Sequence, residues 1–330
     1  MYADPQHRPD SPAPATVPAE PGFVVVINPH SGEHALAETR QLLAAVFLEA
    51  GRGHEFAPSR LDGADVQAVC DWAARRARET GGVLVAVGGD GTLNAAAGAA
   101  LAHGCAMGAI PQGTFNYFAR THGIPQEAAA AARALLRASA QPVQVGLVNG
   151  HPFLVNASLG LYPQLLQDRE AYKQQLGRRR WVAMLSALVT LFEWRRQLTL
   201  EIESEGDTVV LRTPTLFVGN NRLQLEQTGI EPEVAQRVGE GRLAAIVLRP
   251  IGTAAMLGLV LRGALGRLGE AEQVHSVALR SLTVRPWGAR RVKLATDGEV
   301  RWTTAPLRFE VSPRPLVLML PAQADRVPVE

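Results

Sequence analysis

The chain contains very little lysine, and this scarcity excludes one common kind of phosphate site. Lysine and arginine together number 33, and only Lys173 and Lys293 are lysines. No Gly-Lys-Ser or Gly-Lys-Thr sequence occurs. A P-loop lysine therefore cannot neutralise a phosphate group in this protein.

The chain also has few cysteines, a small net charge and no long apolar run. Cys70 and Cys105 are the two cysteines, with no CxxC spacing and no histidine cluster nearby, which argues against structural zinc and disulfides and fits a reducing cytoplasm. The net charge of +2 gives no argument for a nucleic-acid partner. No apolar run reaches the ~18 residues that a membrane span needs. Residues 1–22 carry six prolines and no apolar signal-peptide core, so we predict a disordered tail.

The pattern of the first half predicts a doubly wound α/β domain. Phe23–Ile27 and Val83–Val87 are continuous β-branched or apolar runs, as expected for buried parallel strands. Helices are predicted for 36–50, 66–78, 92–102 and 126–138, and a short strand for 107–110. Alternation of strands and helices is typical of a parallel sheet covered by helices.

The pattern changes near Pro142, where short alternating runs separated by turn residues predict an antiparallel β-sandwich. The predicted strands are 143–148, 152–157, 198–204, 208–213, 215–218, 243–248, 276–284 and 291–295. Two helices are predicted within this half, at Ala171–Trp194 and Thr253–Leu268. The apolar run Leu316–Leu320 predicts a final buried strand.

The sequence VLVAVGGDGTLN is the most informative segment. A buried strand ends on glycines, and a predicted helix begins directly after them. Glycine allows the backbone to approach a phosphate without a Cβ clash, and free N–H groups at a helix start favour an anion. Asp90, between these glycines, would repel phosphate unless a metal ion or a substrate hydroxyl lies nearby. A plain strand–helix turn is the alternative reading.

Two further polar turns follow predicted strands. They are Asn28-Pro29-His30-Ser31-Gly32 and Pro111-Gln112-Gly113-Thr114-Phe115-Asn116. Each alone could be an ordinary turn. Open α/β sheets bind ligands at the carboxyl ends of their strands, so the three turns together predict one crevice.

A fourth segment, Thr296-Asp297-Gly298-Glu299, lies near the end of the chain. Asp-Gly alone is typical of a hairpin turn. The two carboxylates could instead supply a general base and a metal-linked acid.

Taken together, these motifs resemble the family of diacylglycerol kinases, sphingosine kinases and bacterial relatives. The matching segments are NPHSG (28–32), GGDGTLN (88–94), PQGTFNYFAR (111–120), NASLGLY (156–162), GNNR (219–222) and TDGE (296–299). GGDGTxN alone would indicate only the wider superfamily that includes NAD kinases. The later motifs favour the lipid-kinase branch.

The resemblance implies a phosphofructokinase-like domain at 23–142, rejoined by about 312–330, and a lipid-acceptor β-sandwich at 143–311. It implies ATP and Mg²⁺ as cofactors, and Asp297 as the general base for the hydroxyl of diacylglycerol or a related lipid. Asp90 and Glu299 would assist catalysis, and Glu240 and Glu299 would bind metal. The implied nucleotide contacts are Asn28, Ser31, Gly32, Gly88, Gly89, Asp90, Gly91, Thr92, Thr114 and Asn116.

This chain departs from the family pattern at three places. Ala95 replaces a usual glutamate, and Tyr117 stands where aspartate or histidine is common. An acid-rich turn reads Val238-Gly239-Glu240-Gly241 here, which leaves only Glu240 for a structural Mg²⁺. A non-catalytic nucleotide- or lipid-binding regulator and a soluble NAD-type kinase remain the alternatives.

The partner expected from the resemblance is a membrane lipid. Arg178-Arg179-Arg180 precede the apolar segment 181–194, and Arg195-Arg196 follow it, a pattern that suits an anionic membrane surface. A core helix is the alternative for this segment. We therefore expect a cytoplasmic protein in phospholipid metabolism, able to work at the inner face of the membrane. A homodimer is left open, because sandwich edges can pair.

Overall fold

The computed structural model describes residues 22–28, 33–58, 65–160, 197–249 and 273–329. The predicted segments 171–194 and 253–268, the arginines near 178–180, and Ser31 and Gly32 lie outside these residues. Elements are numbered in chain order within the described part. The helices are α1 (Glu33–Glu49), α2 (Val66–Thr80), α3 (Asp90–His103), α4 (Tyr117–Thr121), α5 (Ala128–Leu136), α6 (Arg222–Gln227) and α7 (Pro232–Arg237).

The strands number eighteen in the described residues. They are β1 (Phe23–Ile27), β2 (His54–Phe56), β3 (Val83–Gly88), β4 (Ala106–Pro111), β5 (Ser139–Val143), β6 (Gly146–Val148), β7 (His151–Phe153), β8 (Asn156–Gly160) and β9 (Leu198–Ser204). The remainder are β10 (Asp207–Thr213), β11 (Thr215–Gly219), β12 (Leu243–Leu248), β13 (Val274–Leu279), β14 (Ser281–Pro286), β15 (Arg291–Thr296), β16 (Glu299–Thr304), β17 (Leu307–Val311) and β18 (Leu316–Leu320).

The first sheet has the order β2-β1-β3-β4-β18-β5. All its pairs are parallel except β18 with β5. Every residue of β3 is buried, because α2 and α3 pack together over the sheet while α1 packs with α5. The continuous apolar run that suggested a covered parallel strand is explained by this arrangement, and the predicted α/β class is confirmed.

The other two sheets are antiparallel, with orders β10-β9-β14-β17-β6-β7 and β13-β12-β11-β8-β15-β16. One apolar cluster contains residues of both sheets, including Leu200, Phe309, Leu216 and Leu294. The two sheets therefore face each other across a shared core. Helices α6 and α7 cover part of the outer face of the third sheet through a separate small cluster.

Three predicted strands are wrong in the same way, because each is divided in the structure. The segment 143–148 divides into the end of β5 and β6, 152–157 into β7 and β8, and 276–284 into β13 and β14. In every case the two pieces belong to different sheets. An apolar pattern continues across each break because the strands on both sides of the break bury apolar side chains.

Within the described residues, no helix combines the length and apolarity needed to cross a bilayer. The predicted domain boundaries at 142 and 312 stay a prediction. Strand β18 nevertheless pairs with β4 and β5 of the first sheet, so the end of the described chain completes the sheet with which it began.

Replacement of Leu318 tests how strongly the first sheet depends on this returning strand. Leu318 is fully buried and pairs with Met107 and Gln141. We expect Leu318→Ala to lower the free energy of unfolding by about 2–5 kcal/mol, as buried leucine truncations do. Urea denaturation would measure the loss, with the exposed Arg314→Ala as the control. Equal midpoints for the two variants would contradict this packing.

Candidate active site

The start of α3 forms a cradle of backbone N–H groups. Strand β3 ends at Gly88, and Gly89 caps α3 without any side-chain hydrogen bond, whereas Asp65 caps α2 through its side chain. The first helical bond runs from the Leu93 N–H to the Gly89 carbonyl at 3.0 Å. The N–H groups of residues 90–92 therefore have no acceptor inside the helix, and such a helix start suits an anion.

Two glycine turns touch at this point, and their contact explains why glycine is needed. A Cβ on Gly113 would lie 2.7 Å from Gly89 Cα and 2.6 Å from Asn116 Oδ1. A Cβ on Gly88 would lie 2.6 Å from Thr92 Oγ1. Gln112 N–H also donates to the Gly88 carbonyl at 2.8 Å. The turns after β3 and β4 thus pack backbone against backbone.

Asn116 holds the second turn in shape. Its φ of 50° lies in the left-handed region, which asparagine tolerates better than most residues. Its Oδ1 accepts from Gly113 N–H at 2.8 Å, and its Nδ2 donates to the Gly113 carbonyl at 3.1 Å and to Gln126 Oε1 at 3.0 Å. Both Nδ2 hydrogens therefore bond to groups of the protein, and Asn116 fixes the conformation of the loop. The Thr114 side chain is exposed in the same loop.

Asp90 connects the glycine turn to α4. Its Oδ1 accepts from the Phe118 N–H and its Oδ2 from the Tyr117 N–H, both at 3.3 Å. Asn116 precedes α4 but supplies no side-chain cap, so Asp90 caps that helix from another element. Burial raises the pKa of Asp90, while the backbone amides of α4 and the charge of Arg120 oppose that rise.

Asp297 occupies the tight turn between β15 and β16, with φ of 48°. Its Oδ2 accepts from Leu154 N–H at 2.7 Å, and its Oδ1 accepts from the N–H groups of Val155 and Asn156, both at 2.9 Å. In return, Asp297 N–H donates to the Asn156 carbonyl at 3.0 Å. Oδ1 thus has two donors and Oδ2 only one, which leaves a lone pair on Oδ2.

The pKa of Asp297 is set by opposing effects. Desolvation by the surrounding protein raises the pKa to about 7, the three amide hydrogen bonds lower it, and the nearby Asp90 charge raises it. A carboxyl group with such a pKa is partly ionised near neutral pH, as a general base at working pH requires.

The hairpin turn and the glycine turn meet in space. A Cβ on Gly91 would come within 2.8 Å of Glu299 Oε1, and a Cβ on Gly98 would come within 3.1 Å of Pro152 Cγ. Positions 91 and 98 lie two turns apart on one face of α3. That face packs against β7 and the hairpin tip, so carboxylates that are distant in sequence converge beside the N-terminus of α3.

Comparison with known proteins shows the family to which this chain belongs. Residues 22–148 match the diacylglycerol kinase catalytic domain family. A Pseudomonas aeruginosa protein named "Probable lipid kinase YegS-like" is 32% identical over 311 residues, covering 90% of this chain and 94% of its own length. The chain belongs to the diacylglycerol kinase-type lipid kinase family.

Other relatives are consistent with this family assignment. A Bacillus subtilis protein named "Diacylglycerol kinase" is 31% identical over 147 residues, covering 44% of this chain and 47% of its own length. A crystal structure described as a diacylglycerol kinase from Bacillus anthracis aligns with a TM-score of 0.62 over 92% of this chain and 97% of that chain, at 19% identity. This structural likeness shows a shared fold.

Arg301 lies close to the carboxylates of the candidate site, and the motifs did not indicate it. It follows Glu299 by two residues on β16, on the same side of the strand. Desolvation lowers its pKa, while the charges of Glu299 and Asp297 oppose that shift. The sequence did contain a signal for Arg301. It lies two residues after Glu299, and the alternation of side chains along a strand places both residues on one face.

Two other residues expected at the site are Asn28 and Glu240. Asn28 N–H donates to the Val87 carbonyl at 3.0 Å, which holds the end of β1 beside the glycine turn. Glu240 is exposed in the turn before β12, where Gln144 Oε1 accepts from Gly241 N–H at 2.8 Å. Among the described residues, no group of three or more His, Cys, Asp and Glu side chains could enclose a metal.

Replacement of Gly113 tests the contact between the two glycine turns. Gly113→Ala forces a Cβ against Gly89 and Asn116, so we expect about 1–3 kcal/mol loss of stability from overpacking and a clear loss of ATP affinity. Gly53→Ala is the control, because its Cβ would meet nothing within 4 Å. Calorimetric ATP titration and thermal unfolding would measure both effects. Unchanged ATP affinity in Gly113→Ala would contradict the role of this contact.

Proposed function

We propose that this protein is an ATP-dependent lipid kinase that phosphorylates a hydroxyl of diacylglycerol or a related lipid. The single observation that carries the proposal is the meeting of the α3 N-terminus with the Asp297–Glu299 hairpin, through the contact of Gly91 with Glu299. Family membership supports a lipid as the acceptor.

The triphosphate binds at the glycine turn in this proposal. N–H groups of residues 90–92 point out of the helix start without helical acceptors, and the α3 dipole favours negative charge there. Thr114 adds an exposed hydroxyl from the neighbouring turn. Asn28 borders the same strand end through its bond to Val87. Gly88 and Gly89 permit close backbone approach, as the absence of a Cβ allows.

Asp297 accepts the proton of the acceptor hydroxyl through Oδ2. The hydroxyl oxygen forms a bond to the γ-phosphorus of ATP while the bond from that phosphorus to the β,γ-bridging oxygen breaks, and ADP leaves. Phosphoryl transfer depends mainly on alignment and charge stabilisation. The three amide donors from residues 154–156 fix the Asp297 carboxylate, so its free lone pair keeps one direction.

The carboxylates present suit Mg²⁺. This ion prefers oxygen ligands and is commonly held by one or two carboxylates together with substrate phosphates. Glu299 and Asp90 are the residues that would hold it, since both flank the glycine turn. Bound Mg²⁺ supplies charge neutralisation of the phosphate oxygens. Glu240 lies on a different turn, where a second ion would have one carboxylate only.

Replacement of Asp297 tests its role as the base. Asp297→Asn retains an acceptor for two amides but removes the basic oxygen, so we expect turnover to fall about 10²–10⁴-fold while ATP still binds. Transfer of radiolabelled phosphate to diacylglycerol, monoacylglycerol, phosphatidylglycerol, a sphingoid base and NAD would identify the acceptor. Asp207→Asn, at the exposed start of β10, is the control. Full activity of Asp297→Asn would remove the assignment, and transfer to NAD alone would replace a lipid with a soluble acceptor.

The raised pKa of Asp297 also predicts the pH dependence. A base must be unprotonated to act, and the pKa of Asp297 is about 7. Below that pH we expect kcat/KM to fall tenfold for each pH unit, and above it to level off. The profile of kcat/KM reports the free enzyme, so it should be recorded at limiting acceptor concentration. A flat profile between pH 5.5 and 8, roughly the range over which such a base titrates, would contradict the assignment.

A further inference from the structure

Two tryptophans are exposed near the β15–β16 hairpin, one on β16 and one in the turn before β15. Of the three tryptophans in the described residues, Trp72 packs against the α/β core, whereas Trp287 is 61% exposed and Trp302 is 57% exposed. Trp302 lies on β16, the edge strand of its sheet. Indole is among the largest apolar groups available to bury, so core packing does not account for these two positions.

Basic side chains surround Trp302 on the same face of the hairpin. Lys293 pairs directly with Trp302 across β15 and β16. The Lys293 ammonium lies 5.5 Å and the Arg291 guanidinium 5.8 Å from the indole centre. Strand alternation directs Arg301 to the opposite face. We name Arg291, Lys293 and Trp302 the Trp302 face.

Along the hairpin, the residues behind its tip are basic or uncharged. Residues 286–296 and 300–305 contain no acidic residue and four basic ones, of which Arg301 points to the opposite face. The acids of the hairpin, Asp297 and Glu299, lie at its tip. Trp287 stands in the turn that leads through the exposed Arg290 into β15. Tryptophan beside arginine and lysine is the combination that suits the headgroup region of an anionic bilayer.

Protection of the sheet edge does not account for this composition. Charged side chains on an edge strand discourage pairing with another sheet, but Arg291 and Lys293 lie on β15, which is covered by the edge strand β16. Edge protection gives no reason for a half-exposed indole between them, because an apolar group favours association.

The Trp302 face lies on the same hairpin as Asp297, a short distance from its tip. The Lys293–Trp302 pair is three residue pairs from the Thr296–Glu299 pair, which is roughly 10 Å at about 3.4 Å per residue. A bilayer against this face would therefore lie close to the hairpin tip that carries Asp297.

We infer that the Trp302 face docks on the surface of a bilayer that contains anionic lipids. The indole lies at the headgroup level, and Arg291 and Lys293 contact lipid phosphates. Docking brings the Asp297 turn to the membrane surface, where the hydroxyl of a lipid acceptor is found. The role of docking in catalysis depends on the proposed lipid-kinase function. The evidence for docking itself is the composition and exposure of the Trp302 face.

Vesicle flotation tests the inference with the full chain. The vesicles are phosphatidylcholine with and without phosphatidylglycerol. The variants are Arg291→Gln with Lys293→Gln, and separately Trp302→Ala. Each basic residue near an anionic surface contributes about 1 kcal/mol, so the double variant should bind about 20–30-fold more weakly to anionic vesicles. Trp302→Ala should weaken binding several-fold, and added salt should weaken wild-type binding.

A matched control removes two positive charges elsewhere. Arg212→Gln with Arg314→Gln changes exposed arginines on β10 and before β18 and should retain most of the wild-type binding. Equal losses in both double variants, or wild-type binding by the Arg291–Lys293 variant, would overturn the inference. Tighter binding to duplex DNA than to anionic vesicles would overturn it in favour of a nucleic-acid surface.

Docking and catalysis can be separated by the form of the acceptor. With a short-chain diacylglycerol dispersed below its aggregation limit, the Trp302-face variants should phosphorylate as fast as wild type, and with vesicles they should be slower. If wild type phosphorylates no acceptor but shows the expected vesicle binding, docking stands and the proposed kinase function fails. If the variants lose activity equally with dispersed and vesicular acceptor, the face acts on the site itself and docking is overturned.

Discussion

The carboxylate of Asp297 accepts hydrogen bonds from three consecutive amides, in the segment that leads from β7 of the second sheet into β8 of the third. Leu154 and Val155 place their side chains in the core of the α/β sheet, while their N–H groups hold Asp297 of the third sheet. Phe153, directly before them, lies in the core between the antiparallel sheets. One short segment thus joins both cores and fixes the proposed base.

The same contacts create the chemical character of the site. Moving the Asp297 carboxyl away from water raises its pKa, and Asp90 adds repulsion, while the amides stabilise the charged form. Asp90 is itself held by the first amides of α4. Two carboxylates are therefore kept near each other because each is anchored by backbone donors.

Much of the fold could be predicted from local pattern. Strands β1 and β3 are continuous apolar runs because both faces of the first sheet are covered, and the apolar run of β18 has the same cause. The divided strands were not predictable, because an apolar pattern does not record that the chain passes from one core to another at Arg280 or between Phe153 and Asn156. The short helices α4, α6 and α7 lacked enough residues to establish a helical period.

The candidate site was predicted in part for a similar reason. Glycines at strand ends and the late Asp-Gly turn are visible as types and spacings. The contact of Gly91 with Glu299 joins residues about two hundred positions apart, and no local signal carries it. Asn116 and Asp90 were expected to meet the nucleotide or its ions, yet both side chains also bind backbone groups. The sequence cannot distinguish a polar group that shapes a loop from one that binds a ligand.

A crystal structure with a non-hydrolysable ATP analogue and Mg²⁺ tests the central claim most directly. The account predicts that the phosphates lie against the N–H groups of residues 90–92, with the terminal phosphorus between Gly91 and Asp297 Oδ2. A nucleotide bound elsewhere, such as in the cavity of about 280 Å³ lined by Ile202, Leu216 and Val277, would contradict the account.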